Sequence, residues 1–301
     1  MIRKVAIMGK GALGMLYGEQ LLESGCAEVM FIMDEARLAK HRAEVYKVNG
    51  RTMPFRLVGV AEAEPVDLIL VATKFSGLEA AMEEMAPFVG PATIIFSVLN
   101  GITSEIKLAE RFGEKNILHC VALGMDAVRV GTELSYQHRG MLKIGAVKDF
   151  NLPALDEVCG FFDQVGIAYK REQDILHALW AKLLLNVGIN QTCMVYETNY
   201  GGAFDNPEAC SNMYGAMHEV IAVAKAEGVN LGEEDFEESV RVLKGLTYEG
   251  MPSMRQDALA HRKSEVELFA GTISRLGQKH HLPTPINDFY YRRIQEMEAQ
   301  Y

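Results

Sequence analysis

Lys4-Val5-Ala6-Ile7-Met8 runs directly into Gly9-Lys10-Gly11-Ala12-Leu13-Gly14, and an apolar helical pattern from Leu13 to Ser24 follows. This order, buried strand then G-x-G-x-x-G then helix, decides the fold of the amino-terminal half. Gly9 permits the tight turn, Gly11 lets a backbone approach a pyrophosphate, and Gly14 lets helix and strand pack closely. The helix start offers N–H groups and a positive dipole end to phosphate. A glycine-rich strand–helix turn without a ligand has the same residues. The position of this one, inside the first βαβ unit, favours the dinucleotide reading. The cofactor candidates at the turn are therefore Gly9, Lys10, Gly11, Ala12, Leu13 and Gly14.

Working outward, strands are expected at 28–33, 66–73, 93–98 and 116–123, and helices at 78–88 and 103–112, with one or two short strands within 44–60. Val66–Thr73 (VDLILVAT) is nearly all apolar, as a strand buried on both faces should be. Strands alternating with helices predict a parallel sheet covered on both faces. Residues 132–146 suggest a hairpin and 155–165 a helix. Beyond Asp174 only helices are predicted, at 174–196, 206–227, 233–245, 254–279 and 285–299. The expectation is an α/β fold: a Rossmann-type parallel-sheet domain over 1–171 and an all-helical domain over 172–301.

The chain has 301 residues, 49% hydrophobic and 23% charged, enough for two cored domains. Thirty basic against forty acidic side chains give a net charge of −10, which argues against nucleic acid or an anionic membrane as partner. Five cysteines without a C-x-x-C pair argue against a disulfide framework or a zinc site. His119, His177, His261, His280 and His281 have no metal-ligand spacing, so no metal is expected. With neither a signal peptide nor a membrane span expected, the reading is cytoplasmic.

Asp34 lies 20 residues after Gly14, where an acidic side chain accepts the ribose hydroxyls of NAD. Arg37 could instead meet a 2′-phosphate. Lys74 and Asn100 follow apolar strands, at the strand ends where ligands of open α/β sheets bind. A surface charge and a common Asn-Gly turn would explain them equally well.

Leu179-Trp180-Ala181-Lys182-Leu183-Leu184-Leu185-Asn186-Val187-Gly188-Ile189-Asn190 carries Lys182, Asn186 and Asn190 at i, i+4 and i+8 of an otherwise apolar helix. Unpaired, each buried amide costs about 1–3 kcal/mol and the ammonium more. The row is either an interhelical network or a substrate cradle with the lysine as acid. Partial desolvation would lower the lysine's pKa and make it the better proton donor. Downstream, Ser253 with Gln256 fits a capping box, and Ser253 could also hold a carboxylate. Glu265 would lie about 18 Å from Ser253 on one unbroken helix, so one small substrate could touch both only if the helix breaks. Alone, Glu265 reads as a surface carboxylate.

GKGALG at 9–14, VATK ending at Lys74, VLNGI around Asn100, LWAKLLLNVGIN at 179–190 and PSMRQD…RKSE at 252–265 together resemble the ketopantoate reductase (2-dehydropantoate 2-reductase) family across essentially the whole chain. The resemblance implies reduction of 2-dehydropantoate to (R)-pantoate in pantothenate and coenzyme A synthesis. It implies Lys182 as general acid, Asn186 and Asn190 on the substrate hydroxyl region, and Ser253 on the carboxylate. Glu265 would orient the cofactor ribose or the lysine, Asn100 would sit between nicotinamide and substrate, and Lys74 near the cofactor. It implies NADPH, with NADH left open because Asp34 stands where the family often has a basic residue. Its partners would be a small 2-oxo acid and, for assembly, a homodimer. Reduction of another branched 2-oxo acid, or a non-catalytic dinucleotide sensor, are the competing readings.

Overall fold

The computed structural model describes residues 1–301. In chain order the first elements are β1 (Lys4–Met8), α1 (Ala12–Ser24), β2 (Glu28–Ile32), α2 (Glu35–His41), β3 (Tyr46–Val48), β4 (Arg51–Met53), β5 (Arg56–Val58), β6 (Leu68–Val71), α3 (Leu78–Met85), β7 (Ile94–Ser97) and α4 (Ser104–Phe112). Then come β8 (Ile117–Met125), β9 (Val128–Val130), β10 (Glu133–Ser135), β11 (Arg139–Gly145), α5 (Leu152–Val165) and β12 (Tyr169–Arg171). Helices follow: α6 (Ile175–Val195), α7 (Tyr200–Asp205), α8 (Pro207–Ala226), α9 (Glu233–Lys244), α10 (Ser253–Leu259), α11 (Ala270–Lys279) and α12 (Pro285–Glu298). One unit holds Met1–Leu99 and Ser104–Ile175, the other Asn100–Thr103 and Leu176–Tyr301.

In the first unit an eight-stranded sheet runs β12-β11-β8-β7-β6-β1-β2-β5. From β5 to β8 every pairing is parallel. β1 therefore has β2 on one side and β6 on the other, which makes its carboxyl end a topological switch point. Successive side chains of β1 serve opposite faces, as strand geometry requires. Val5 and Ile7 join Tyr17 and Leu21 of α1 and Leu155, Val158 and Phe162 of α5. Ala6 and Met8 join Leu78, Met82 and Met85 of α3 and Leu108 of α4.

A second sheet, β4-β3-β10-β9, packs on α1 through Tyr46, Val48, Met53 and Leu134 against Met15 and Leu16. The expected hairpin at 132–146 is not formed. β10 pairs with β9 and β3, and β11 with β8 and β12. Burial explains the difference: Leu134 enters the core under the small sheet, while Leu142 and Ile144 enter the core of the large one. The buried Glu19 of α1 ties the sheets together by accepting from Arg51 of β4 at 2.6 Å and from Arg139 of β11 at 3.3 Å.

In the helical unit the single helix expected at 254–279 is broken into α10 and α11. His261 takes a left-handed conformation (φ 50°), Arg262 N–H returns to the Asp257 carbonyl, and its guanidinium binds the Asp257 carboxylate at 2.7 Å. The Ser264 N–H and hydroxyl then both donate to Glu298 of α12, drawing the chain off the helix axis. Helices α2 and α7 and strand β12 were not expected. All are seven residues or shorter, too brief for a periodic signal. No helix is long and apolar enough to cross a membrane.

Candidate active site

The glycine turn is held in a conformation that leaves no room for side chains at Gly9 and Gly14. Gly9 lies at φ +107°, and a Cβ there would stand 2.6 Å from the Ala72 carbonyl oxygen. A Cβ on Gly14 would overlap the Gly9 carbonyl oxygen. Gly11 precedes α1 and no side chain caps it, so the first helical N–H groups have no side-chain acceptor. Beside the turn, the Thr73 hydroxyl is buried with no hydrogen-bond partner, an orphan that a polar ligand atom would satisfy. Ala12 and Leu13 open and flank the helix, and Lys74 is exposed in the residue after Thr73.

Lys10 does not project into solvent. Its ammonium donates to the Tyr46 hydroxyl, lies 3.9 Å from the centre of that ring, and is 3.7 Å from Glu44. Burial lowers its pKa to about 8 against the pull of Glu44. Arg129 of β9 donates to the Lys10 carbonyl, so the small sheet braces the turn.

Asp34 is the amino-terminal cap of α2. Its Oδ1 accepts the Arg37 N–H at 2.8 Å and its Oδ2 accepts from Arg37 Nε. These two bonds hold the Asp34 carboxyl below its ordinary pKa. Arg37 also grips both oxygens of Glu84 on α3 with Nη2.

In the helical unit, α6 is buried along most of its length, with Asn186 and Asn190 at 8% and 6% exposure and Lys182 half-buried. The three side chains form one row spanning about 12 Å of helix. The interhelical polar network exists, but on neighbouring positions. Gln191 accepts the first N–H of α11 (Ala270) at 2.9 Å and donates to Asn287, and Thr192 bonds the buried Tyr290 hydroxyl at 2.6 Å. None of these contacts uses Asn186 or Asn190.

Asn100 Nδ2 donates to Glu265 Oε2 at 2.8 Å. The helix break after α10 permits this by placing Glu265 in a turn, where Gly101 (φ +87°) packs against Leu268. Glu265 is thus a half-buried, hydrogen-bonded carboxylate rather than a bare surface charge. Ser253 is exposed as the first residue of α10 and makes no cap bond, while Gln256 reaches the Met251 carbonyl. The expected capping box is absent because Pro252 occupies the cap position.

Sequence reasoning passed over Tyr46, Glu84 and Gln191. Each meets its partner across 36 or more residues, and no local pattern announces such pairs.

The family profile described as "Ketopantoate reductase PanE/ApbA" matches residues 5–149, and its carboxy-terminal counterpart matches residues 174–298. A 2-dehydropantoate 2-reductase of Aquifex aeolicus is 26% identical over 99% of this chain and 98% of its own. Among solved structures, a 2-dehydropantoate 2-reductase from Geobacter metallireducens is 25% identical with a TM-score of 0.85, over 97% of this chain and 99% of that one. A D-mandelate dehydrogenase in complex with NADH and anilino(oxo)acetate is 25% identical with a TM-score of 0.88, over 99% of both chains. On these matches the chain belongs to the ketopantoate reductase family of nicotinamide-dependent oxidoreductases.

Proposed function

We propose that the protein reduces the ketone of a 2-oxo acid, with 2-dehydropantoate as substrate and pantoate as product. The observation that carries this reading is the Lys182–Asn186–Asn190 row on a buried helix, in a chain that also holds a G-x-G-x-x-G turn at the start of α1. A reduced nicotinamide, when bound, supplies the hydride. Lys182 donates a proton to the ketone oxygen and stabilises the charge that develops there. Asn186 and Asn190 hold the substrate hydroxyl region, and Ser253 the carboxylate. Asn100 and Glu265 act as one hydrogen-bonded pair that positions the cofactor ribose or the lysine. The glycine turn, Asp34 and Lys74 hold the dinucleotide. No metal enters this scheme.

A second reading keeps the chemistry and changes the substrate. The D-mandelate dehydrogenase, whose complex contains an aryl-substituted oxo acid analogue, favours it. Initial rates with 2-dehydropantoate against branched and aryl 2-oxo acids decide between the two. A kcat/KM at least tenfold higher for 2-dehydropantoate supports the first, and preference for another oxo acid supports the second. A sensor without turnover would show dinucleotide binding and no rate with any member of the panel.

A further inference from the structure

The side chains at the end of β2 bear on which dinucleotide is used, a question that rests on the reductase reading above. Arg37 is the cation a 2′-phosphate would need, since it stands three residues past the acidic position of the fingerprint. Its guanidinium is already engaged. Nε faces Asp34 Oδ2 and Nη2 faces both oxygens of Glu84. Two carboxylates on one guanidinium leave the trio with a net charge of −1. Without displacing a carboxylate, a phosphate carrying nearly two negative charges could reach only Nη1, and there it would still lie beside both carboxylates.

The neighbouring groups point the same way. Glu35, in the first turn of α2, adds a further negative charge beside this trio, and its Oε1 accepts the Ala61 N–H at 3.2 Å. Lys10 is folded onto Tyr46 and Glu44. Arg129 is committed to the carbonyl oxygens of Lys10 and Gly131. Asp34, by contrast, is 37% exposed and has spent one lone-pair site on each oxygen. A carboxylate offers about four such sites, so two remain for ribose hydroxyls.

We infer that Asp34, Arg37 and Glu84 form a specificity device that selects NADH over NADPH by binding the free 2′-hydroxyl and repelling the 2′-phosphate. The NADPH implied by the family resemblance is replaced here because the family's basic position is occupied by an acid that holds the nearby arginine.

The test is equilibrium titration of the purified protein with NADH and with NADPH, followed by nicotinamide fluorescence, alongside the variant D34N/E84Q. Asparagine caps a helix about as well as aspartate, so α2 is retained while both charges are removed. The expected result is a Kd for NADH at least tenfold below that for NADPH in the native protein. In the variant the ratio falls at least tenfold, through weaker NADH and tighter NADPH binding. Equal Kd values or tighter NADPH binding in the native protein overturns the inference, as does an unchanged ratio in a variant that melts at the native temperature. Failure of both dinucleotides to bind would instead overturn the reductase reading on which it rests.

Discussion

Asn100 and Glu265, 165 positions apart, are joined by a 2.8 Å hydrogen bond from the side-chain amide to the carboxylate. A hydrogen bond to a charged group is worth about 1.5–3 kcal/mol. Asn100→Ala should therefore cost up to about that much stability and, by releasing Glu265, lower kcat/KM by about 10- to 100-fold. The informative measurement is a double-mutant cycle with Glu265→Ala. If the two residues work as a pair, the double variant loses little more than either single one. Fully additive losses would show that the bond has no part in turnover.

Lys182→Met removes the proton donor and its charge from α6. General acid catalysis contributes about 10²- to 10⁴-fold, so kcat should fall at least 100-fold. The dinucleotide Kd, read in a separate titration, should move less than threefold. A kcat loss below tenfold, about 1.4 kcal/mol, would remove Lys182 from the acid role.

Gly9→Ala places a methyl group 2.6 Å from the Ala72 carbonyl oxygen on a backbone at φ +107°. Strain of this kind costs about 1–3 kcal/mol. A urea melt should record that loss, and dinucleotide binding should weaken with it because the turn must shift. Gly50→Ala is the control, since it has a positive φ and nothing within 4 Å. It should keep cofactor binding.

His119 on β8 has a ring nitrogen buried without a partner, and burial lowers its pKa to about 4. The unfolded chain, with a pKa near 6.5, binds more protons than the folded one between these values. Stability should therefore rise with pH from about 4 to 6.5, by up to about 3 kcal/mol from this group. Urea melts of the native protein and of His119→Gln across this window should differ in slope. Parallel profiles would exclude His119 as the source.

How much of this was legible in the sequence depends on how local each cause is. The turn at 9–14, the strand within VDLILVAT and the polar row of α6 each carry their reason within a dozen residues, so periodicity and glycine spacing sufficed. Asp34 was legible as an acid at the right offset. Its capture of Arg37, and the capture of Arg37 by Glu84, needed α3 folded against the strand ends. The split between α10 and α11 was hidden because it depends on Ser264 meeting Glu298, 34 residues away. The pairing of β10 with β3 was hidden because a strand pattern does not name its partner.

The Gln191 carboxamide accepts the leading N–H of α11 across 79 residues, and Thr192 meets Tyr290 across 98. The central helix thus finishes neighbours that are synthesised much later. Such distant closures slow the search for the native state, because loop entropy is lost before the contact forms. The carboxy-terminal half should accordingly assemble in one late concerted step rather than helix by helix. A nascent chain stopped before Ala270 would leave the Gln191 carbonyl oxygen without the N–H that it accepts.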